Sequence, residues 1–548
     1  MNETRSTASV LPFGDQGLVV EFADELSTVV NGRARALAHS LAGGPGVVET
    51  VPTFRAVLIV VDPLAADRDH LAEVADRLAR ELPPDLAGSG RVIDLPVVYG
   101  SEHGPDLEDV ARMHSLSAQD VIDLHSGHEY LVFMLGFSPG FPYMGTLPPP
   151  LHTPRLPAPR TRVPAGSVGI ADVLTGVYPL ATPGGWRIIG RTPQLIYDPR
   201  EADPVALRPG DRVRFVPVRT ATFPEVPLGQ TQPVRPLGRA VFEVLEAGLY
   251  TTVQDLGRPG YRNRGLPAGG AMDRQALQLA NIIVGNPPEA ATIECTAPGP
   301  VLRVLDDTTI ALTGADLSPT LEGRPVEMWR PVHARAGQTV ALGAPRRGLW
   351  TYIAVSGGIR VPKVLGSAST YVPGGLGGAG GRRAQAGDIF GRGEGARRPA
   401  KTPLRELTLP ADEVIVRAIP GPQADLFAEE GRARLWREAY RTTVQSDRAG
   451  VRLEGPAISH QGAADVLSDG MLPGAIQVPA GGQPIVIMAD GPTTGGYPKI
   501  GVVASIDLRL VAQARPGTRI RFAETTVEAA TDALREWQAT LDDLGRRP

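Results

Sequence analysis

The sequence predicts an α+β fold that is mainly β and is divided into several domains. Strand and helix patterns alternate through the first 100 residues, whereas short β-like runs separated by Pro and Gly fill the chain beyond residue 125. The 64 Gly and 53 Pro among 548 residues indicate frequent turns. A single hydrophobic core stops growing at roughly 250–300 residues, so a chain of this length contains about three or four domains.

The N-terminal 100 residues have the pattern βαββαβ. The predicted strands and helices are, in chain order, Leu18–Phe22, Ser27–Leu41, Val47–Val51, Ala56–Asp62, Arg68–Leu82 and Val92–Val98. Apolar residues three and four positions apart on the helices would cover one face of a four-stranded sheet, which predicts a ferredoxin-like layer. We expect this layer to be architectural, because it contains neither paired carboxylates nor the spacing of metal ligands.

The remaining chain predicts tandem β-barrels joined by a linker. Strands as short as these favour closed barrels or sandwiches over parallel α/β sheets. Gly184-Gly185-Trp186 is followed by Arg208–Phe215, and Gly495-Gly496-Tyr497 is followed by the similar segment Arg515–Phe522. This internal sequence repeat predicts related barrels in the two halves of the chain. The Pro-rich, polar segment Arg219–Gly238 has the composition of an extended linker.

The domain bounds follow from these changes in pattern. Thr525–Leu544 has apolar residues at alternating spacings of three and four, which predicts an amphipathic C-terminal helix. We predict an N-terminal α/β domain, a first barrel, the linker, a β-rich region, a second barrel and the final helix, at residues 1–100, 101–218, 219–238, 239–400, 401–525 and 526–548.

Composition narrows the class of partner. The net charge of −4, without a basic cluster, argues against nucleic acid or a membrane surface and favours a small-molecule substrate. No run approaches the roughly 18 apolar residues that span a bilayer, and residues 1–10 do not resemble a secretory signal, so we expect a soluble, cytoplasmic protein. The single cysteine, Cys295, is expected to be buried and inert. The chain contains only three lysines, Lys363, Lys401 and Lys499, but 52 arginines.

The first half carries motifs of one known family. His128-Glu129-Tyr130 precedes the segment Leu135–Tyr143, which reads LGFSPGFPY. Pro159–Ile170 and Pro183–Thr192 follow in the same order that the family uses. Over its first 218 residues the chain resembles the B subunit of bacterial ATP-dependent 5-oxoprolinase.

The second half carries motifs of the C subunit of the same enzyme. These are the segments Gly248–Gly260, Gly270–Asp273, Ala280–Asn281, Glu294–Pro300, Ser446–Gly450 and Asp490–Pro498. The family is related to the carboxyltransferase domain of urea carboxylase, and its members also carry the labels allophanate hydrolase subunits 1 and 2. The resemblance implies cyclophilin-like barrels, so the predicted fold becomes a ferredoxin-like layer followed by tandem cyclophilin-like β-barrels.

The resemblance implies an ATP-dependent lactam hydrolase component. Opening the unstrained lactam of 5-oxoproline to glutamate would be coupled to ATP, with Mg²⁺, and would use a separate A-type subunit; a homo-oligomer is a further possibility. Such a site needs cations for phosphate, N–H donors for the developing oxyanion, and one group that moves a proton. The chain would be a fusion of the B and C subunits.

In the first half, His128 is the candidate proton carrier, although a histidine that caps the turn explains the same position. Arg160 and Arg162 share strand parity, so both could point to one barrel face and hold a carboxylate or phosphate. Because the chain has 52 arginines, ordinary surface arginines are the alternative interpretation. The other binding candidates here are Tyr130, Phe137, Pro139, Gly184 and Gly185.

In the second half, Asp273 is the fourth catalytic candidate, or only the N-cap of a helix. Two glycines in the turn before Lys499 permit close approach to a ligand, and this lysine could face phosphate or simply be solvated. The binding candidates are Gln254, Asp255, Arg258, Ser446, Asp447, Arg448, Thr493, Thr494, Gly495, Gly496, Tyr497 and Lys499.

Several signatures are missing. We find no G-x-x-x-x-G-K-[ST] segment, and the glycine run Gly374–Gly381 lacks the following lysine, so an ATP site would not be a P-loop. His125 and His128 lack a third ligand at suitable spacing, so we predict no metal site in the protein. There is no Ala-Met-Lys-Met biotin attachment site. A carboxyltransferase that works with separate biotin proteins, and a regulatory protein that binds a sensor histidine kinase, stay open as alternatives.

Overall fold

The computed structural model describes residues 8–83, 90–394 and 406–546, so Lys401 lies outside it. The chain begins with a sheet in the order β1-β2-β4-β3, in which every pairing is antiparallel. Ser27 and Asp67 cap the two helices by accepting a backbone N–H in the first turn. The elements are β1 Ser9–Phe13, β2 Gly17–Glu21, α1 Thr28–Leu41, β3 Val47–Pro52, β4 Ala56–Val61 and α2 Arg68–Glu81.

The predicted ferredoxin-like order is wrong in one strand. The segment predicted as Val92–Val98 forms a strand, but it belongs to the following barrel, where it runs parallel to Arg212–Pro217. The N-terminal sheet is completed instead by Ser9–Phe13, which pairs with Gly17–Glu21 through a tight turn. Alternation along the sequence identifies a strand, but it does not identify the strand's partner.

A closed barrel follows the N-terminal sheet. Its strands join in the circular order β10-β7-β6-β13-β5-β12-β9, and β8 and β11 form a separate ribbon beside it. The elements are β5 Val92–Tyr99, α3 Leu107–Met113, α4 Ala118–Ser126, β6 Glu129–Leu135, β7 Pro142–Gly145, β8 Arg160–Val163, β9 Ser167–Ala171, β10 Leu174–Val177, β11 Thr182–Gly184, β12 Arg187–Arg191 and β13 Arg212–Pro217.

The middle of the chain is a β-sandwich. One sheet has the order β20-β19-β22-β17-β14-β25-β24 and the other β15-β16-β23-β18-β21, and apolar side chains of both sheets share one core. The elements are β14 Arg239–Glu246, β15 Tyr250–Gln254, α5 Arg274–Ile283, β16 Thr292–Thr296, β17 Val301–Val304, β18 Thr308–Asp316, β19 Thr320–Leu321, β20 Arg324–Pro325, β21 Val332–Ala334, β22 Thr339–Ala341, β23 Arg347–Val355, β24 Ile359–Arg360 and β25 Ile389–Arg392.

A second closed barrel, in the order β26-β33-β30-β31-β28-β27-β34, precedes a C-terminal helix. The elements are β26 Glu413–Pro420, α6 Glu429–Arg437, β27 Ala439–Thr442, β28 Gly450–Glu454, β29 Asp469–Gly470, β30 Ala475–Gln477, β31 Ile485–Ile487, β32 Thr494–Gly495, β33 Lys499–Val503, α7 Leu508–Ala512, β34 Arg519–Glu524 and α8 Val527–Arg546. The predicted C-terminal helix is confirmed, and its Leu541 packs in the core that α5 shares with this barrel.

The internal sequence repeat, made of the two glycine pairs and the similar segments that follow them, corresponds to a structural repeat. Following each barrel along the chain, the seven barrel strands pair in the same circular order, and the first and last strands are parallel in both. Each barrel also has a separate ribbon, β8–β11 in the first and β29–β32 in the second. Gly184 lies in β11 and Gly495 in β32, so the two glycine pairs occupy equivalent positions.

The two halves of the chain pack closely together. One face of the N-terminal sheet is covered by α1 and α2, through residues such as Val20 and Ile59. The opposite face, which includes Val19 and Leu58, packs against the second barrel at Val502 and neighbouring residues. In the described part of the chain, no helix has the length and apolar character needed to cross a membrane.

Candidate functional site

The two most distinctive sequence motifs meet at one junction. The loop Gly136–Phe141, between β6 and β7, lies against the β32 turn of the second barrel. The backbone N–H of Phe137 donates to Thr494 Oγ1 at 3.1 Å. Tyr143, in β7 just after the loop, packs edge-on against Phe141 of the loop with ring centroids 5.0 Å apart. We call this contact region the junction.

A second segment of the later half supports the same loop. The Gly140 N–H donates to the carbonyl of Arg264 at 3.0 Å. Gly265 has a φ of 74°, and a Cβ there would stand 2.7 Å from the carbonyl oxygen of Ser138. Glycine is therefore required at this position for two reasons, its backbone conformation and the close approach of the loop.

The junction carries a cluster of aromatic side chains. Phe137 is 43% exposed, and Phe141 and Tyr178 meet its ring edge-on at centroid distances of 5.4 and 6.5 Å. Burial raises the pKa of Tyr178 to about 12, and the nearby guanidinium groups of Arg155 and Arg160 oppose this increase. The site therefore combines a flat apolar surface with two cations.

Lys499 begins β33 just beside the junction. Its side chain is fully buried, and its amine has no hydrogen-bond partner among the residues that the structure describes. Burial lowers the pKa of Lys499, against the opposing effect of the Asp469 and Glu21 carboxylates. Burial likewise raises the pKa of Glu21. The solvated interpretation of Lys499 is therefore wrong, because its charge lies between the N-terminal sheet and the second barrel.

A second polar cluster lies inside the later half and centres on Arg448. Its guanidinium donates to Asp490 Oδ2 at 2.7 Å, to the Gly270 carbonyl at 2.7 Å and to Glu294. Glu294 also accepts the backbone N–H of Met272. All three charged side chains are buried, so Arg448 ties the second barrel to the sandwich.

The Gln254–Gly260 turn is also held by buried polar groups. Asp255 accepts hydrogen bonds from Ser367 and Ser369. Arg258 is 1% exposed and donates to the carbonyl of Ser369, yet its Nε and Nη1 atoms have no partner in the described ranges. Gln254 donates to Thr252 and Thr370 from inside the fold.

Asp273 is the N-cap of α5. Its side chain accepts the Ala276 N–H at 2.9 Å and the Gln513 amide at 3.0 Å. Burial raises the pKa of this carboxyl group. The structure thus places Asp273 in a capping role, which sequence reasoning had left open beside a catalytic one.

A cavity of about 490 Å³ opens beside the Arg448 cluster. Ser446, Asp447 and Arg448 line it together with Tyr250 and Trp350. Ser446 accepts the Arg452 N–H, and Asp447 accepts the N–H groups of Ala449 and Gly450, so both also shape the loop. Volumes of this size are common for small-molecule sites.

Comparison with known proteins identifies the family. The description "Carboxyltransferase domain, subdomain C and D" matches residues 8–207, and "Carboxyltransferase domain, subdomain A and B" matches residues 264–524. The B subunit of 5-oxoprolinase from Bacillus subtilis is 42% identical over 217 residues, which cover 37% of this chain and 90% of the relative. The C subunit of 5-oxoprolinase from Escherichia coli is 37% identical over 307 residues, which cover 56% of this chain and 98% of the relative.

The chain belongs to the family of the B and C subunits of 5-oxoprolinase. The B-like half comes first and the C-like half second. The crystal structure of TTHA0988 has the same arrangement over most of the chain, with a TM-score of 0.83 and 36% identity across 93% of this chain and 99% of that one. The resemblance to a B–C fusion and to carboxyltransferase domains is therefore confirmed.

The structure does not place His128, the candidate proton carrier of the B-like half, at the junction. His128 is exposed and bonded through Nδ1 to the Leu124 carbonyl, at the opposite end of β6 from the Gly136–Phe141 loop. Seven residues of β6 separate these ends, roughly 20 Å at the usual rise per residue. The structure therefore separates His128 from the junction, while its predicted catalytic role stays a prediction. Tyr130 is buried in the barrel and donates to the His125 carbonyl.

The predicted arginine pair is also placed differently. Arg160 and Arg162 lie on β8, which pairs with β11 in the ribbon and not in the closed barrel, so they do not share a barrel face. Arg160 donates to Asp106 at 2.6 Å, whereas Arg162 is exposed. Gly184 lies opposite Arg160 and close to Tyr178, and a Cβ on it would be 2.3 Å from the Tyr178 hydroxyl. A Cβ on Gly185 would make only an ordinary contact with Pro159 at 3.8 Å.

The other predicted residues of the junction differ in exposure. Pro139 and Thr493 are buried, and Tyr497 is 39% exposed. A Cβ on Gly495 would stand 2.4 Å from Gln477 Nε2, whereas Gly496 has more room. Gly495 therefore allows close packing against protein atoms, and the predicted close approach of a ligand to this turn stays a prediction.

Sequence reasoning missed several charged residues of these clusters. Glu294 and Asp490 stand inside motifs that carried the family resemblance, so the motifs themselves were a usable signal. Glu21 and Asp469 are isolated carboxylates without any local pattern, and only the packing of the halves reveals them. Cys295 is buried as predicted, and burial raises its pKa. Within residues 8–83, 90–394 and 406–546, no group of three or more His, Cys, Asp or Glu could hold a metal ion.

Proposed function

We propose that this chain is a component of ATP-dependent 5-oxoprolinase, the enzyme that opens the 5-oxoproline lactam to glutamate. The observation that carries the proposal is that each half matches a 5-oxoprolinase polypeptide over at least 90% of that polypeptide. The hydrogen bond between Phe137 and Thr494 supports it, since it joins a B-like motif to a C-like motif within one chain.

The chemistry explains why ATP is needed. Amide resonance makes the lactam carbonyl a poor electrophile. The carbonyl oxygen attacks the γ-phosphorus of ATP, and the bond to ADP breaks. Water then adds to the activated carbon, the C–N bond breaks and the nitrogen takes up a proton. A second water hydrolyses the resulting acyl phosphate, which releases phosphate and leaves the carboxylate of glutamate. The protein contributes positioning, cations and proton transfer to this sequence.

We place the substrate site at the junction. Arg155, which has 60% of its side chain exposed, lies near Tyr178 and can attract an anion. A Cβ on Gly185 would meet nothing closer than Pro159 at 3.8 Å, so there is room for a ligand just after β11. Burial lowers the pKa of Lys499 and raises that of Glu21, so these two titratable groups are the candidates for proton transfer. Mg²⁺ would accompany ATP, and we assign no residue to it.

The proposal includes a separate A-type protein as partner. Relatives named as B and C subunits belong to a larger assembly, so the chain would work in a complex. The direct test is to mix the purified chain with a candidate A-type protein, ATP and 5-oxoproline and to measure glutamate and ADP. We expect both products only when chain, partner and ATP are all present. Failure of every soluble candidate A-type protein to give lactam turnover would reject the proposal.

A carboxyltransferase is the second candidate, favoured by the descriptions that match both halves. Such an enzyme would need biotin on another protein, since the chain lacks an Ala-Met-Lys-Met site. Avidin binds biotin and would block this reaction, but it would leave ATP-dependent lactam opening unaffected. Avidin-sensitive turnover of the reconstituted system would therefore favour the carboxyltransferase.

A further inference from the structure

Phe137 has a backbone conformation that residues other than glycine rarely adopt. Its φ is 61°, in the left-handed region, where the Cβ of an L-residue is strained. Such a conformation persists only where the surrounding structure imposes it, and it is commonly found at ligand sites. The side chain is 43% exposed, although phenylalanine is among the residues most often buried. Both features suggest a role other than core packing.

Contacts from the C-like half hold the loop in this conformation, together with backbone hydrogen bonds within the loop itself. Thr494 Oγ1 accepts the Phe137 N–H at 3.1 Å, across 357 residues of sequence. Gly136 passes so close that a Cβ there would be 1.9 Å from Thr494 Oγ1. At the far side of the loop, the Gly140 N–H donates to the Arg264 carbonyl at 3.0 Å. The C-like half therefore holds the loop at two points.

The exposed ring has the surroundings of a small binding platform. Phe141 and Tyr178 contact it at interplanar angles of 75° and 89°, so neither stacks on its faces. Arg155 lies near Tyr178 and has 60% of its side chain exposed, and its Nε is 3.4 Å from the exposed Asp172 carboxylate. A flat apolar face beside an accessible guanidinium suits a planar ring that bears an anionic group.

We propose that Phe137 is the platform on which a planar cyclic amide carboxylate lies, and that Thr494 is the positioning residue that holds this platform across the two halves. The ligand class rests on the proposed function, whereas the positioning role rests only on contacts between the halves. In this arrangement the B-like half carries the binding surface and the C-like half sets its shape. Substrate binding therefore requires both halves to be docked.

Substitution of Thr494 tests the positioning role. Thr494→Val keeps the shape of the side chain but removes the acceptor, whereas Thr494→Ser keeps the hydroxyl. In the reconstituted complex we expect Thr494→Val to raise KM for 5-oxoproline at least about tenfold, with a smaller change in kcat, and Thr494→Ser to restore it. Phe137→Leu, which keeps apolar bulk but removes the flat ring, should raise KM similarly.

A matched control removes a different hydrogen bond between the halves. The Tyr197 hydroxyl donates to the Gly374 carbonyl at 2.6 Å, so this bond joins the halves without involving the Phe137 amide or Thr494. Tyr197→Phe should lower the melting temperature without changing KM. If Thr494→Val behaves like Tyr197→Phe, Thr494 is merely structural and the inference falls. An unchanged KM in Phe137→Leu would show that the Phe137 ring is not the binding platform.

Hydrogen exchange separates this inference from the proposed function. In the full chain alone, Thr494→Val should speed exchange of the Phe137 amide at least about tenfold, while Tyr197→Phe leaves it unchanged. Unaltered exchange would overturn the positioning role even in an active enzyme. If exchange responds but the wild-type complex never forms glutamate, the proposed function fails and the positioning role stands.

Discussion

Replacement of Arg448 by Met should destabilise the C-like half strongly. The substitution leaves the buried carboxylates of Glu294 and Asp490 without their shared cation. Breaking a buried ion pair in this way typically costs about 3–5 kcal/mol. In a cooperative unit of this size, a loss of that order lowers the melting temperature by roughly 5–15 °C. Thermal unfolding followed by circular dichroism measures the effect.

The pH dependence of Arg448→Met gives a sharper test. Burial already raises the pKa of Glu294, and removal of the arginine takes away the effect that opposes this increase. A carboxyl group with a raised folded-state pKa contributes stability that is present below its unfolded pKa and is lost as the pH rises through the folded pKa. The variant should therefore lose less stability near pH 4 than at pH 7. Adding Glu294→Gln should recover part of the loss; an equal loss at both pH values, with no recovery, would refute this reasoning.

Three further predictions follow from the fold and the junction. Cutting the gene near Gln230 should give two soluble chains that elute together in size-exclusion chromatography, because the N-terminal sheet packs on the second barrel; separate elution would contradict this packing. Lys499→Met should be more stable than wild type at pH 7 by about 1–3 kcal/mol, the cost of a buried polar group without a hydrogen-bond partner, yet less active; because burial lowers the pKa of Lys499, the stability gain should shrink as the pH rises toward about 10 in thermal unfolding. His128→Ala should keep near-normal turnover per folded molecule, because His128 lies far from the junction. A hundredfold loss of turnover would show that His128 takes part in catalysis.

Local patterns predicted much of the fold. The repeated glycine pairs and the similar segments that follow them indicated related barrels, and the spacing of apolar residues indicated the C-terminal helix. The strand at Val92–Val98 was found, but its partners were not, because strand pairing depends on the whole topology. The domain bounds, including those at residues outside the described ranges, stay predictions.

The candidate site was predictable only in parts. Phe137 and Thr494 were both named from their motifs, but their contact spans 357 residues and no local pattern predicts it. Arg160 and Arg162 were misplaced because strand parity gives the side of a strand without saying which sheet the strand joins. Glu21 acquires its environment only when the N-terminal sheet packs on the second barrel, so its sequence neighbours give no signal.

The ratio of ADP to glutamate formed by the reconstituted complex tests the central claim most directly. If this chain belongs to an enzyme that couples ATP cleavage to lactam opening, the two products should form in equal amounts, and both should disappear when the chain is omitted. Glutamate formation without ADP, or ADP and glutamate formation that continues unchanged without this chain, would contradict the account.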